Sequence, residues 1–81
     1  MLVGKHLQIR EEGLLKEGAK TNLYTVLVKD SYTIFGEIWW YAQWRKYCYY
    51  TLPNFLVVLD QECLRELAWW CEHLTLEHKN K

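Results

Sequence analysis

Eighty-one residues leave room for one small domain, and three cysteines are too few to staple it as a disulfide scaffold. Ten basic residues cancel ten acidic ones, which excludes bulk attraction to nucleic acid or anionic lipid as the organising force. With 51% hydrophobic and 25% charged residues the chain is not disordered by composition, and its unusual feature is aromatic content: five Trp, six Tyr and two Phe.

In chain order, Leu7 and Ile9 alternate with Gln8 and Arg10, which predicts a short strand. Residues 11–20 hold Gly13, Gly18 and mixed charge, and read as a loop with at most one helical turn at Leu14-Leu15. Residues 22–29 are β-branched and aromatic, with Tyr24, Val26 and Val28 on one face. After a turn at residues 29–31, a strand over 32–40 puts Ile34, Ile38 and Trp40 on one face and Phe35, Trp39 and Tyr41 on the other. Gly36 inside it predicts a bulge or a close backbone approach. Residues 41–44 turn the chain, and 45–51 form the next strand, with Tyr47, Tyr49 and Thr51 alternating with Lys46, Cys48 and Tyr50. Residues 55–59 read as a short strand or an extended lead into a helix.

That helix runs from Gln61 to about His78, without Gly or Pro. Asp60 is its N-cap, Leu59 and Leu64 are placed for a hydrophobic staple, and His78 and Lys79 suit its C-terminal dipole. At 100° per residue, Leu64, Leu67, Ala68, Cys71, Leu74 and Thr75 fall on one stripe flanked by Cys63 and Trp70, and this stripe is expected to pack on the sheet. The fold class is therefore α+β: one domain over 1–81, with a strand and irregular segment in 1–21, an antiparallel meander of three to four strands completed in 22–52, and one helix over 60–78 packed on one face.

Two surfaces stand out. Opposite the packing stripe, Trp69 and Leu76 project among Glu62, Arg65, Glu72 and His73. Either the N-terminal segment or the 11–20 loop covers Trp69, or Arg65, Trp69 and Leu76 form a partner or dimer surface. The second surface is the hairpin. One helix covers one sheet face, so Trp39 and Tyr41, with Arg45, either fill a core under the N-terminal segment or face a protein partner. A further alternative is a nucleotide or nucleic-acid site in which Trp44 and Tyr47 stack bases while Arg45 and Lys46 neutralise phosphate. From Asp60 to Glu77 five acidic residues face one basic residue, so the helix is acidic and the hairpin basic; two copies, or a basic host protein, would complement that charge.

Other chemistries find little footing. Cys63 and Cys71 lie about 12 Å apart along a helix, and neither a CxxC pair nor an HExxH motif is present, so no metal or other cofactor is expected. No nucleophile elbow, triad spacing or phosphate-cradling glycine loop occurs, and no catalytic residue is assigned. The longest apolar run, 55–59, is far short of a membrane span, and no signal-peptide pattern opens the chain. A cytosolic protein with free thiols serving as small core hydrophobes is the expectation.

The run Ile38-Trp39-Trp40-Tyr41-Ala42-Gln43-Trp44-Arg45-Lys46-Tyr47-Cys48-Tyr49-Tyr50, then Phe55, then Cys63-Leu64-Arg65-Glu66-Leu67, resembles a group of small proteins encoded by bacteriophages and prophages. The resemblance spans about residues 36–78, and its Trp-Tyr-x-x-Trp-Arg-x-Tyr core is its specific part. Gln43 stands where the group often has a proline, and Pro53 takes the place of a second. The resemblance implies a phage or prophage origin and a location in the host bacterial cytoplasm, and carries no activity. Small phage proteins without catalytic motifs often act by binding, so by class the expected function is a non-enzymatic protein-binding module, such as an inhibitor of a host or bacterial defence complex, either alone or as a homodimer.

Overall fold

The structure, a computed structural model, describes residues 2–3, 5–14, 20–29, 31, 33–53 and 56–80. It is an α+β fold in which five antiparallel strands run in sequential order across one open sheet and the C-terminal helix packs on one face. The strands are β1 (Leu2–Val3), β2 (Leu7–Leu14), β3 (Asn22–Val28), β4 (Ile34–Tyr41) and β5 (Lys46–Thr51); the helix is α1 (Gln61–Lys79). The two-residue β1, which pairs Leu2 with Ile9, adds an edge beyond the expected four strands.

β2 runs past Arg10 to Leu14, where a loop was expected. The ladder with β3 skips one residue between Glu11 and Gly13, and Gly13 takes a φ of 97° at the irregularity. A glycine read as a turn residue instead serves a bulge, where only glycine adopts a positive φ without strain. The expected turn at Leu14-Leu15 is a strand end at Leu14; Leu15 lies outside the described residues, as do Gly18, Tyr32 and Phe55.

Gly36 fulfils both expectations. The β3–β4 register shifts between Val26 and Leu27, opposite Gly36 and Ile34. A Cβ at Gly36 would collide with the Tyr50 carbonyl and stand 2.7 and 2.8 Å from the ring and hydroxyl of Tyr49. Tyr49 lies across this gap and its hydroxyl donates to the Phe35 carbonyl at 2.7 Å. The bulge also corrects the expected faces of β4: Phe35 packs against the core with Trp40 and Tyr49, and Ile34 is 42% exposed. An extra residue in one strand reverses the side on which its neighbours emerge.

The core joins Leu7, Ile9, Tyr24, Val26, Ile38 and Tyr47 of the sheet to Leu67, Trp70 and Leu74 of α1. The packed stripe of α1 is rotated from expectation, because Leu64 is 53% exposed and Ala68 is exposed while Trp70 is buried. Burying an indole removes far more apolar surface from water than burying an alanine, so the helix turns Trp70 inward. Two polar contacts fix this orientation. Glu66 accepts from the amides of His6 (3.0 Å) and Leu7 (3.0 Å), and Thr75 Oγ1 accepts from the Tyr47 amide at 2.9 Å. Asp60 caps the helix as expected, accepting from Cys63 N at 2.9 Å. These hydrogen bonds hold its carboxyl below the ordinary value. Residues 56–60 form no strand and lead directly into α1.

Candidate protein-binding surfaces

Arg65, Trp69 and Leu76 recur at four and seven residues on α1, and this spacing puts them on the side facing away from the sheet. Trp69 is 55% exposed, so no described residue of the N-terminal segment or of the 11–20 stretch covers it; residues 15–19 lie outside the described residues. Its ring is held in place: it stacks on His73 at 4.8 Å with planes 8° apart and meets Trp70 edge-on at 4.7 Å. His73 Nε2 in turn lies 2.9 Å from Glu77 Oε1. Leu76 is 53% exposed and Arg65 is exposed. The helix thus presents a fixed indole, a leucine and a guanidinium on one side. A fixed indole loses little conformational entropy on binding, which favours it as an anchor.

The other surface lies on the sheet face opposite α1. Trp39 stacks face to face on Tyr50, with centroids 3.7 Å apart and planes 8° apart. Tyr41 donates to Gln43 Oε1 at 2.6 Å and meets Trp44 edge-on at 5.0 Å. Trp39 and Tyr41 are half-buried, while Trp44 is 66% exposed and Arg45 and Lys46 are exposed beside it. Arg45 sits at φ 53°, a left-handed conformation that disfavours side chains other than Gly, Asn and Asp and closes the four-residue turn between β4 and β5. The Tyr50 hydroxyl is buried without a hydrogen-bond partner among the described residues. Burial pushes its phenol up from the ordinary value.

The nucleic-acid set of Trp44, Arg45, Lys46 and Tyr47 does not hold together. Tyr47 is 6% exposed and packs in the core against Tyr24 and Trp40. Lys46 and Tyr47 are neighbours in a strand and emerge on opposite faces, so the period of two itself separates them. The helix surface and the hairpin surface likewise lie on opposite layers and are two sites, not one.

A third surface, not among those expected from the sequence, lies past β5. Ile34, Phe35, Leu52, Leu56 and Val58 line a cavity of about 710 Å³ beyond the end of β5. Leu56 and Val58 are 92% and 80% exposed. The apolar run 55–59 has no polar–apolar alternation to hide one face, and that is the sequence signal for this surface.

All three cysteines are free and half-buried. Cys71 packs against the core, and desolvation pushes its thiol up to about 11, so it stays protonated and inert at neutral pH. Among the described residues no three His, Cys, Asp or Glu side chains cluster as metal ligands, and no helix is long and apolar enough to cross a membrane. Comparison with known protein families, with curated proteins and with solved structures gives no match.

Proposed function

We propose that this chain is a non-enzymatic protein-binding module whose principal contact surface is the outward side of α1. The observation that carries this reading is Trp69: a large ring, 55% exposed, fixed by His73 and Trp70, with Leu76 two turns away at 53% exposure. Trp39, Tyr41 and Arg45 supply a second contact surface on the opposite layer. Phage or prophage origin, the host cytoplasm and inhibition of a host or defence complex rest on the resemblance carried by the aromatic motif. A second copy of the chain is the alternative partner.

Affinity capture from bacterial lysate with wild type, Trp69→Ala and Trp39→Ala tests the proposal. Loss of an anchoring indole of at least about 2 kcal/mol weakens binding roughly 30-fold, so Trp69→Ala captures little of the specific partner. Undiminished capture by both variants would refute the assignment of these surfaces. The exposed Trp44, Arg45 and Lys46 favour a second reading, an oligonucleotide site; salt-dependent quenching of Trp fluorescence by oligonucleotides would support it.

A further inference from the structure

β5 ends the strand order, and among the described residues no strand pairs with its outer side. Its Tyr47 amide points away from β4, since it is taken by Thr75 of α1. Residues two apart in a strand aim their amides the same way, so Tyr49 and Thr51 also present N–H and C=O outward. No hydrogen bond among the described residues occupies those groups. Concavities flank this edge on both sides. Where the outer edge of β5 meets α1, beside the Tyr47–Thr75 contact, a groove of about 340 Å³ is bordered by Lys46, Tyr47, Ala68, Cys71 and Lys79. On the opposite side a hollow of about 300 Å³ is lined by Tyr41, Trp44, Cys48 and Tyr50. The 710 Å³ apolar cavity around Leu52 and Leu56 continues the line beyond Thr51.

A strand laid along an edge points alternate side chains to opposite faces. An edge with open ladder groups and a concavity on each side has the features that strand addition uses, in which main-chain bonds give affinity and the flanking hollows give selectivity. Charge identifies the occupant. Lys46 and Lys79 line the same end of the groove, and neither forms an ion pair among the described residues; Glu72 is the one acidic group beside them. The other end is apolar. Resting on the proposed protein-binding function, we infer that β5 binds an extended segment of a partner protein by strand addition at Tyr49 and Thr51, with apolar side chains toward Leu52 and an acidic end over Lys46 and Lys79. Thr75 closes the edge at Tyr47, so the segment leaves the ladder there and its acidic end passes into the lysine-lined groove.

The probe is a displayed library of random octapeptides selected on the full chain. The expected selection enriches alternating apolar residues with Asp or Glu at one end. Binding of the selected peptide then shifts the amide resonances of Tyr49 and Thr51. Methylating one alternate set of the peptide's amide nitrogens weakens binding at least tenfold, while methylating the other set does not; this readout does not depend on any variant folding. Thr51→Pro, which removes an outward N–H and spares the β4 ladder, and Lys46→Glu with Lys79→Glu each weaken binding tenfold or more. Trp69→Ala leaves peptide affinity unchanged. No enrichment, no difference between the methylated sets, or shifts confined to Arg65, Trp69 and Leu76 would each overturn the inference, and the last would leave the α1 surface standing. A concentration-dependent dimer abolished by Thr51→Pro would also overturn it, because a second copy would own the edge.

Discussion

Glu66 ties the start of β2 to α1, alongside a 2.7 Å contact between His6 Nε2 and Glu62 Oε2, and replacing it is a direct test of how the two layers are held. Its carboxylate receives two backbone donors, the amides of His6 and Leu7, the first shared between both oxygens at 3.2 and 3.0 Å. Hydrogen bonds to a charged group contribute roughly 1.5–3 kcal/mol each. The site is half-buried, so the upper end does not apply to both. Leu7 is 1% exposed, however, and its amide has little access to replacement water. Glu66→Ala is therefore expected to destabilise by about 2–3 kcal/mol, a large share of the roughly 4–12 kcal/mol available to a chain of this length. At roughly 4–8 °C per kcal/mol for a domain of this size, Tm falls by about 10–20 °C. Glu66→Gln retains one acceptor oxygen and should lose about half as much. Urea and thermal unfolding followed by circular dichroism measure both. A Glu66→Ala variant within about 2 °C of wild type, or a Gln variant no better than Ala, would refute the reasoning.

Three further outcomes follow from the same geometry. Gly36→Ala should destabilise by about 2–3 kcal/mol or more in urea unfolding, because the new methyl meets the Tyr50 carbonyl and the Tyr49 ring, and the backbone carbonyl cannot move aside without breaking the ladder. Tyr50→Phe removes a buried hydroxyl that lacks a partner among the described residues and keeps the stack on Trp39, so stability should hold or rise by up to about 1 kcal/mol; a clear loss would show that the hydroxyl is satisfied in solution. Burial pushes up the phenols of Tyr24, Tyr47 and Tyr49 and the thiol of Cys71, the last to about 11. The folded chain therefore keeps protons that the unfolded chain releases, and stability present at neutral pH should decline as pH rises past about 9. Unfolding free energies that stay level from pH 8 to 11 would contradict that assignment.

Much of the fold was legible because its signals are local. Asp60 ahead of an uninterrupted helix, the β-branched run of β3, and Gly36 inside an aromatic strand each have one ready physical interpretation, and each holds. What was not legible depends on tertiary choices. Gly13 looks the same in sequence whether it serves a turn or a bulge, so β2 extends four residues beyond the strand that the Leu7–Arg10 alternation predicts. Periodicity defined an apolar sector on α1 but not its centre, since Leu64 and Trp70 flank Leu67 on either side; the size of the indole decided it. Strand alternation correctly separated Tyr47 from Lys46, yet their adjacency had grouped them in one candidate site. Phe35 changed sides because of a bulge whose existence, but not whose effect on its neighbours, was foreseen. For the candidate surfaces, the opposition of Trp69 and Leu76 to the packing stripe was readable from the 100° rule. The open edge of β5 was not, because strand order is set only when the sheet assembles.

The central claim is that the outward side of α1 is a contact surface for a second protein. Oxidative footprinting of the tryptophans by mass spectrometry, on the free chain and on the complex captured from lysate, tests it most directly. Trp69 and Trp44 are expected to oxidise readily and Trp70 little in the free chain, with Trp69 strongly protected once the partner is bound. Equal oxidation of Trp69 in the free and bound states would contradict it.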